Sequence, residues 1–571
     1  MKVVLVAVNS KYIHSNLAVR YLKAYTKDLN YNCETMEFSI NDREERVVEE
    51  ILHEKPSIIG FSCYIWNIEF IKKVATLIKL IDSNIEIVYG GPETSYNPME
   101  FLSENVGEYL IEGEGEETYR ELINLKINNE SNGDTTNYEN IKGLYYKDDK
   151  AIIYGGKRPL MNINNIVFPY EADDDLRNKI VYYEASRGCP FNCKYCLSST
   201  THGVRFLNLD RVLKELKFFI DKNVKLVKFV DRTFNCNKVF ANTIWSYLID
   251  NGKNTCFHFE VSADLFCKES LDILSKAPNG MFQFEVGVQT TNNEILRNIN
   301  RTIKFATIKE KVLELNKLTN IKQHLDLIAG LPGEDFNSFR KSFNEVYEIS
   351  PEELQLGFLK LLKGSEMREE SEKWGMVYSP YPPYEILKTK DISYNELIIL
   401  KKIEHMVDKY LNSGKFYNIL NFFNKSNKFV DIFEFYYELS KFFDSKGYFK
   451  RSIASIDYYY LFVEFNDYIK AGDRELLLDI IRYEYFSYNN TKWVPDFLRM
   501  EIPKPQERSI KEYIMDKKSI DNINKISVFK FNYDVKDYIE NNNINKSLNY
   551  IAFINNDHKE KVFINENEVN S

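Results

Sequence analysis

Hydrophobic positions in the first 130 residues gather in short, nearly continuous runs at 2–8 (KVVLVAV), 57–63 (SIIGFSC), 86–91 (EIVYGG) and 109–113 (YLIEG), with a more alternating run at 33–39. A strand wet on one face alternates, whereas one buried in a parallel sheet is apolar on both faces. Amphipathic stretches such as 68–81 and 116–125 lie between or after these runs. The alternation predicts a five-stranded, doubly wound Rossmann-like domain over residues 1–130.

Residues 131–179 break that rhythm. They read as a polar link with a hairpin-like piece at 141–154 and an acidic turn at 171–175, and the low hydrophobicity of 127–139 predicts a mobile surface loop. A second strand–helix alternation then begins, with apolar runs at 181–186, 225–231, 256–262, 281–288, 323–329 and 353–361. Helical patterns such as 211–219, 239–248, 308–318 and 336–347 separate them. Six parallel strands with helices outside make a partial (βα)6 barrel over residues 180–375, in which the carboxyl ends of the strands face the site. Pro380-Tyr381-Pro382-Pro383-Tyr384 reads as a stop. Residues 376–571 are expected to form a mainly helical domain, rich in Phe and Tyr over 392–500, that ends in a small β element with runs at 525–533, 547–554 and 560–564. Aromatic residues at that density are expected to pack as core.

Composition narrows the class. A chain of 571 residues suggests three or four domains at about 150 residues each. The net charge is −9 with no dense basic patch, so nucleic acid is not an expected partner. No run of about 18 apolar residues is present, so no membrane span is expected. The first residues lack the basic region and cleavage site of a secretory signal, which points to the cytoplasm. There the eight cysteines stay reduced, and Cys33, Cys63, Cys236, Cys256 and Cys267 are expected to pack inside.

The remaining three, Cys189, Cys193 and Cys196, stand at C-x3-C-x2-C spacing. Three thiolates on one tight loop can hold three irons of a cubane cluster and leave the fourth open, as a catalytic metal centre requires. Zinc is the alternative, with His202 completing a Cys3His set. The segment Glu184-Ala185-Ser186-Arg187-Gly188-Cys189-Pro190-Phe191-Asn192-Cys193-Lys194-Tyr195-Cys196, with an aromatic residue before the last cysteine, resembles the cluster loop of radical S-adenosylmethionine (SAM) enzymes.

The first domain has its own resemblance. Its strand ends carry Asn9-Ser10, Ser62, Gly90-Gly91-Pro92-Glu93 and Gly113-Glu114-Gly115-Glu116, where an α/β sheet binds ligands. The first turn lacks G-x-G-x-x-G, which argues against a dinucleotide. Ser62, Gly90, Gly91, Gly113 and Gly115 match landmarks of the cobalamin-binding domain that precedes many radical SAM enzymes. The Asp-x-His-x-x-Gly signature of a cobalt-ligating histidine is not intact, since Tyr12 and Leu17 flank His14 where Asp and Gly would stand. The resemblance therefore implies cobalamin held without a protein histidine ligand.

Taken together, the likeness implies a 4Fe-4S cluster on Cys189, Cys193 and Cys196, reductive cleavage of SAM to a 5′-deoxyadenosyl radical, and methylation of an unactivated carbon of an unknown substrate. Asp231, Glu260, Ser262 and Gln289, at polar strand ends, are the implied SAM contacts. Arg301 stays outside that set, because a helix-surface charge explains it equally well. An electron donor such as flavodoxin or ferredoxin is the implied partner. Two alternatives stay open: rearrangement or cyclisation without methylation, and a non-enzymatic iron–sulfur or cobalamin sensor. Methylthiolation needs three further cysteines upstream, and only Cys33 and Cys63 are there.

Overall fold

The computed structural model describes residues 1–132, 138–148, 151–201, 203–489, 491, 493–555 and 559–565. His202 and part of the 127–139 segment lie outside the described residues. The chain forms two compact units, one of residues 1–342 and 356–397, the other of residues 343–355 and 398–571.

The first unit opens with a seven-stranded sheet built from β1 (Lys2–Asn9), β2 (Asn32–Ser39), β3 (Ile58–Ser62), β4 (Glu86–Gly90), β5 (Tyr109–Ile111), β6 (Leu144–Asp148) and β7 (Ala151–Tyr154). Its order is β2-β1-β3-β4-β5-β6-β7, and the first five strands run parallel. The continuous apolar run of β1 has a simple cause. Val4, Val6 and Val8 face a core with Ile71, Val74 and Ile78, while Val3, Leu5 and Ala7 face a second core with Val19, Leu122 and Ile123. Each face carries a helix layer, so the strand has no wet side. The 141–154 hairpin, read from the sequence as part of the link, instead extends this sheet antiparallel from β5. Leu144, Tyr145 and Tyr146 are buried there, and their pairing covers an edge that β5 would otherwise expose.

A second sheet follows, from β8 (Ile180–Tyr183), β11 (Leu226–Phe229), β12 (Cys256–Val261), β13 (Phe282–Gln289), β14 (Lys322–Ala329) and β15 (Glu353–Phe358), in the order β15-β14-β13-β12-β11-β8. The pairings from β8 through β14 are parallel. Tyr183, Phe219, Phe229, Phe234, Trp245 and Phe259 fill the layer between this sheet and its helices, with Phe229 and Phe259 stacked at 4.5 Å. The sequence run 181–186 is split. β8 stops at Tyr183, and β9 (Ser186–Cys189) turns away to pair antiparallel with β10 (Gly203–Phe206), carrying the first cysteine on a hairpin. A two-stranded ribbon, β16 (Val377–Tyr378) and β17 (Ile386–Lys388), ends this unit's sheets.

Of the five cysteines expected inside, only Cys63 is fully buried. Cys33, Cys236, Cys256 and Cys267 are half-buried because they fall at or near element ends, where a side chain reaches the rim of the core.

The second unit is helical and aromatic. Phe423, Phe435, Phe462 and Phe465 meet from the helices Tyr417–Asn424, Ile432–Ser445 and Asp457–Ile469. The carboxylate of Glu484 accepts the Asn418 and Ile419 N–H groups, capping a helix start whose own N-cap, Phe416, has no side-chain acceptor. Strands β18 (Ile526–Tyr533), β19 (Lys546–Asn555) and β20 (Lys559–Asn565) form an antiparallel sheet against the helix Lys504–Lys518. Among the described residues no helix is long and apolar enough to cross a membrane.

Candidate functional site

Two cavities lie in the first unit. The larger, about 670 Å³, sits at the carboxyl ends of β1, β3, β4 and β5 and is closed on the far side by Tyr182, Glu184, Arg187, Val230 and Arg232 of the second sheet. Ser62, Gly90, Gly91, Gly113 and Gly115 all line it. Ser62 Oγ is buried there without a hydrogen-bond partner. Gly91 has φ +117°, and a Cβ at that position would stand 2.4 Å from the Cys63 carbonyl oxygen. Any side chain would therefore force the loop off β3 and change the wall that a bulky ligand must approach.

His14 also lines this cavity. Its Nδ1 is 2.7 Å from the Tyr182 hydroxyl, and its backbone bridges to Ile180, with the Ile180 N–H donating to Ile13 O at 2.8 Å. The loop where a cobalt-ligating histidine would stand is thus stitched to β8. Burial, helped by Lys11, lowers the imidazole pKa.

The smaller cavity, about 230 Å³, is the polar mouth of the second sheet. Cys189, Cys193 and Cys196 line it together with Glu260, Ser262, Glu285, Gly287, Gln289, Arg301 and Asp326. Residues from β11 through β14 converge on the cysteine loop, which requires the sheet to curl around it. Among the described residues no three His, Cys, Asp or Glu side chains are gathered tightly enough for a single ion. The three thiols all line this one cavity, and His202, the fourth ligand of a Cys3His zinc set, lies outside the described residues.

Of the four implied SAM contacts, three reach this pocket. Glu260 is half-buried, and desolvation pushes its carboxyl above the usual range, with Arg232, 4.0 Å away, acting against that shift. Ser262 donates to Asp264 at 2.5 Å while its backbone is clasped by the Asn235 amide. Gln289 follows a register shift in β13, has φ +71°, and buries Oε1 without a partner. A non-glycine residue held in that conformation stores strain of about 1–3 kcal/mol, a mark of a functional position.

Asp231 is placed differently. It is 1% exposed and stands behind the wall, accepting the Ala185 N–H at 3.0 Å and the Ser186 hydroxyl at 2.5 Å. Burial raises its carboxyl to about 7. Both oxygens are committed to the turn that sends β9 toward Cys189.

Three groups that the sequence left unassigned stand out. Arg301 is half-buried in the lining of the smaller pocket, donating to the Tyr195 hydroxyl at 3.2 Å and to Gly287 O at 2.8 Å. Asn300, at φ +58°, makes the turn that brings it there and ties to Asn192 O at 2.8 Å. Asp326 Oδ1 is buried without a partner, and burial next to Glu285 and Glu260 raises its carboxyl well above the ordinary range. Arg187, two residues before Cys189, is half-buried between Glu184 at 2.8 Å, Glu116 at 2.9 Å and Glu114 at 3.5 Å, while Arg205 from the paired strand also binds Glu114. The two acids of Gly113-Glu114-Gly115-Glu116 are thereby ion-paired to the cysteine hairpin. Motif spacing could not show this, because the partners lie about 70 to 90 positions apart in sequence.

Comparison with known proteins follows the same division. Residues 3–123 match the B12 binding domain model, residues 183–346 match the radical SAM superfamily model, and residues 372–553 match a protein family of unknown function, DUF4080. The chain therefore contains a B12-binding domain and a radical SAM domain. The 2-(S-pantetheinyl)-carbapenam-3-carboxylate methyltransferase of Streptantibioticus cattleyicolor is 24% identical over 324 residues, covering 52% of this chain and 46% of that protein. The cobalamin-dependent radical SAM methyltransferase TokK of Streptomyces tokunonensis is 25% identical over 353 residues, covering 58% and 51%. The chain spans about half the length of the curated relatives it matches. In fold it is similar to the radical SAM methyltransferase TsrM from Kitasatospora setae, solved with cobalamin and a [4Fe-4S] cluster bound (TM-score 0.55, 16% identity, 67% of this chain and 82% of that one). It is also similar to the cobalamin-dependent radical enzyme OxsB with aqua-cobalamin bound (TM-score 0.58, 14% identity, 85% and 79%). A radical SAM domain implies a 4Fe-4S cluster and SAM, and a B12-binding domain implies cobalamin.

Proposed function

We propose that this chain is a cobalamin-dependent radical SAM methyltransferase that acts on an unactivated carbon. The observation that carries the reading is the adjacency of the two cavities: Arg232 forms part of the wall of both. A corrinoid in the larger cavity and SAM in the smaller one would face a substrate from two sides of that residue.

Both donor sets fit their groups. Cys189, Cys193 and Cys196 supply three soft thiolates on one wall, and the glycine turns at 90–91 and 113–115 with Ser62 offer a cradle for a large flat ligand. When bound, the reduced cluster would cleave SAM to the substrate-activating radical, and the corrinoid would supply the methyl group. The chain's own part is to orient and enclose. Gln289 Oε1 and Asp326 Oδ1, both buried acceptors without a partner, are suited to receive the ammonium and hydroxyl donors of SAM. Glu260 and Ser262 extend the same polar rim. Arg301 braces Tyr195, and so the cysteine loop, against the carbonyl of Gly287. The broken Asp-x-His-x-x-Gly pattern, with Tyr12 and Leu17 flanking His14, favours cobalamin held without a histidine from this loop. A one-electron donor of the flavodoxin or ferredoxin type is the proposed partner.

The test is anaerobic reconstitution with iron, sulfide and cobalamin, followed by incubation with reductant and methyl-labelled SAM. The expected results are cluster absorption, retained corrinoid, 5′-deoxyadenosine and a labelled product from a candidate substrate pool. Deoxyadenosine without a labelled product would move the reading to rearrangement. Its absence from a fully loaded, reduced protein would leave a sensor.

A further inference from the structure

Residues 359–392 leave the end of the second sheet and stay in the first unit. They are anchored by Leu359 N–H to Ala329 O at 3.0 Å, Leu361 N–H to Tyr384 O at 2.9 Å and Ile386 N–H to Leu359 O at 2.8 Å. From that base the connector reaches two loops that belong to different cofactor cavities.

On one side it grips the cysteine loop. Met367, fully buried, donates its N–H to Lys194 O at 2.9 Å, and Lys194 stands between Cys193 and Tyr195. The Lys194 ammonium lies 2.5 Å from Glu370 and 3.0 Å from Glu366. Glu370 in turn accepts the Trp374 indole N–H at 3.0 Å.

On the other side it grips the glycine loop of the first domain. Glu93, 6% exposed, accepts the Tyr384 hydroxyl and pairs with Lys363 at 3.0 Å. Gly364, at φ +81°, lies flat on Tyr96, where a Cβ would come within 2.0 Å of the ring. The Tyr96 hydroxyl meets Thr200 Oγ1 at 3.1 Å, just past Cys196. Gly91, Pro92, Ser95 and Tyr96 of this loop line the larger cavity. Tyr384 itself falls within the stretch that matches the family of unknown function.

We propose that this connector sets the register between the two cofactor sites, with Glu93, Lys363, Tyr384, Glu366 and Glu370 as positioning residues that hold the glycine loop against the cysteine loop and so fix the cobalt-to-cluster distance. The inference rests on reading the two cavities as corrinoid and cluster sites. None of these five side chains lines either cavity. They act through the loops they hold, and a buried carboxylate such as Glu93 keeps its place only while its partners do.

The experiment uses the full chain carrying Tyr384→Phe, or Glu366→Gln with Glu370→Gln, beside the wild type. With cluster and cobalamin loaded and both reduced to paramagnetic states, pulsed electron paramagnetic resonance reads the distribution of distances between them. The expected result is wild-type cofactor stoichiometry and unchanged individual spectra, with a cobalt–cluster distance distribution at least twice as broad in both variants. A distribution as narrow as the wild type's in both would overturn the proposal. Hydrogen exchange on the proteins before any cofactor is added gives an independent reading. Amides of residues 90–96 and 190–200 should exchange at least tenfold faster in the variants, and equal rates would overturn the proposal. A wild type that takes up neither cofactor would sink the functional reading, while the exchange rates would still decide the role of the connector.

Discussion

Replacing Asp231 by asparagine and by alanine separates a residue that touches SAM from one that shapes the loop beside it. In the structure both carboxylate oxygens are spent on Ala185 N–H and Ser186 OH, and all three residues are buried. Asparagine can keep both contacts, its oxygen accepting from Ala185 and its amide donating to the Ser186 hydroxyl, so the expected cost is under about 1 kcal/mol. Alanine leaves a buried N–H and a buried hydroxyl without partners. At about 1–3 kcal/mol for each such group the expected loss is about 2–6 kcal/mol, felt first where β9 delivers Cys189.

The pH dependence sharpens the contrast. Burial raises the carboxyl from 3.8 to about 7, so the folded chain binds this proton more tightly than the unfolded one. Its contribution is complete below pH 3.8 and is lost as pH rises toward 7, at about 1.4 kcal/mol per pH unit across that window. The asparagine variant should lose that slope. Urea unfolding at a series of pH values, with SAM binding to the reconstituted protein measured in parallel, is the assay. If Asp231→Asn unfolds as the wild type does at every pH yet no longer binds SAM, the carboxylate touches the ligand and the positional argument is wrong.

Cys193→Ala should abolish SAM cleavage to background while corrinoid retention, read by absorbance after gel filtration, stays near wild type. Arg187→Met should lower stability by about 3 kcal/mol, because it leaves buried Glu116 and half-buried Glu184 facing each other unpaired, and should loosen corrinoid retention; Arg187→Lys should restore part of both. Glu334, fully buried, accepts the Thr290 hydroxyl at 2.7 Å, and burial raises its carboxyl to about 8. That raised value makes stability fall between pH 4.5 and 8, so Glu334→Gln should flatten this part of the profile and melt higher than wild type at pH 9 by scanning calorimetry.

Much of the architecture was legible because its signals are local. Both strand series announce themselves as continuous apolar runs, since strands covered on two faces have no polar side to show. The three cysteines and the glycine turns are short motifs whose residues are neighbours in sequence. What stayed hidden depends on pairs far apart. The hairpin β6–β7 joins the first sheet by covering an edge, and nothing in residues 141–154 says which edge. Asp231 reads as a ligand contact because it is a charge at a strand end, yet its oxygens are consumed by residues about 45 positions upstream. Arg301 reads as a surface charge until the turn at Asn300 carries it inward. Glu114 and Glu116 read as part of a ligand-facing strand end, and their ion pairs with Arg187 and Arg205 of the cysteine hairpin show only in the fold.

These residues share a position in the molecule. Arg187, Glu114, Glu116, Asp231 and Arg301 all stand within or beside the walls of the two cavities, and each brings an ionisable group into a buried or half-buried place where it needs a partner. Burying so many ionisable groups is costly on stability alone, since an apolar side chain of similar volume serves a core as well or better. A seam built from ion pairs gives up that advantage and gains directionality: each pair is satisfied in one relative placement of the glycine loop and the cysteine hairpin, and a slip of a few ångströms leaves buried charge unpaired. A hydrophobic seam would tolerate such a slip. On the proposed reading, a substrate activated from one cavity and methylated from the other would not, which accounts for polar residues being concentrated where the two cavities meet.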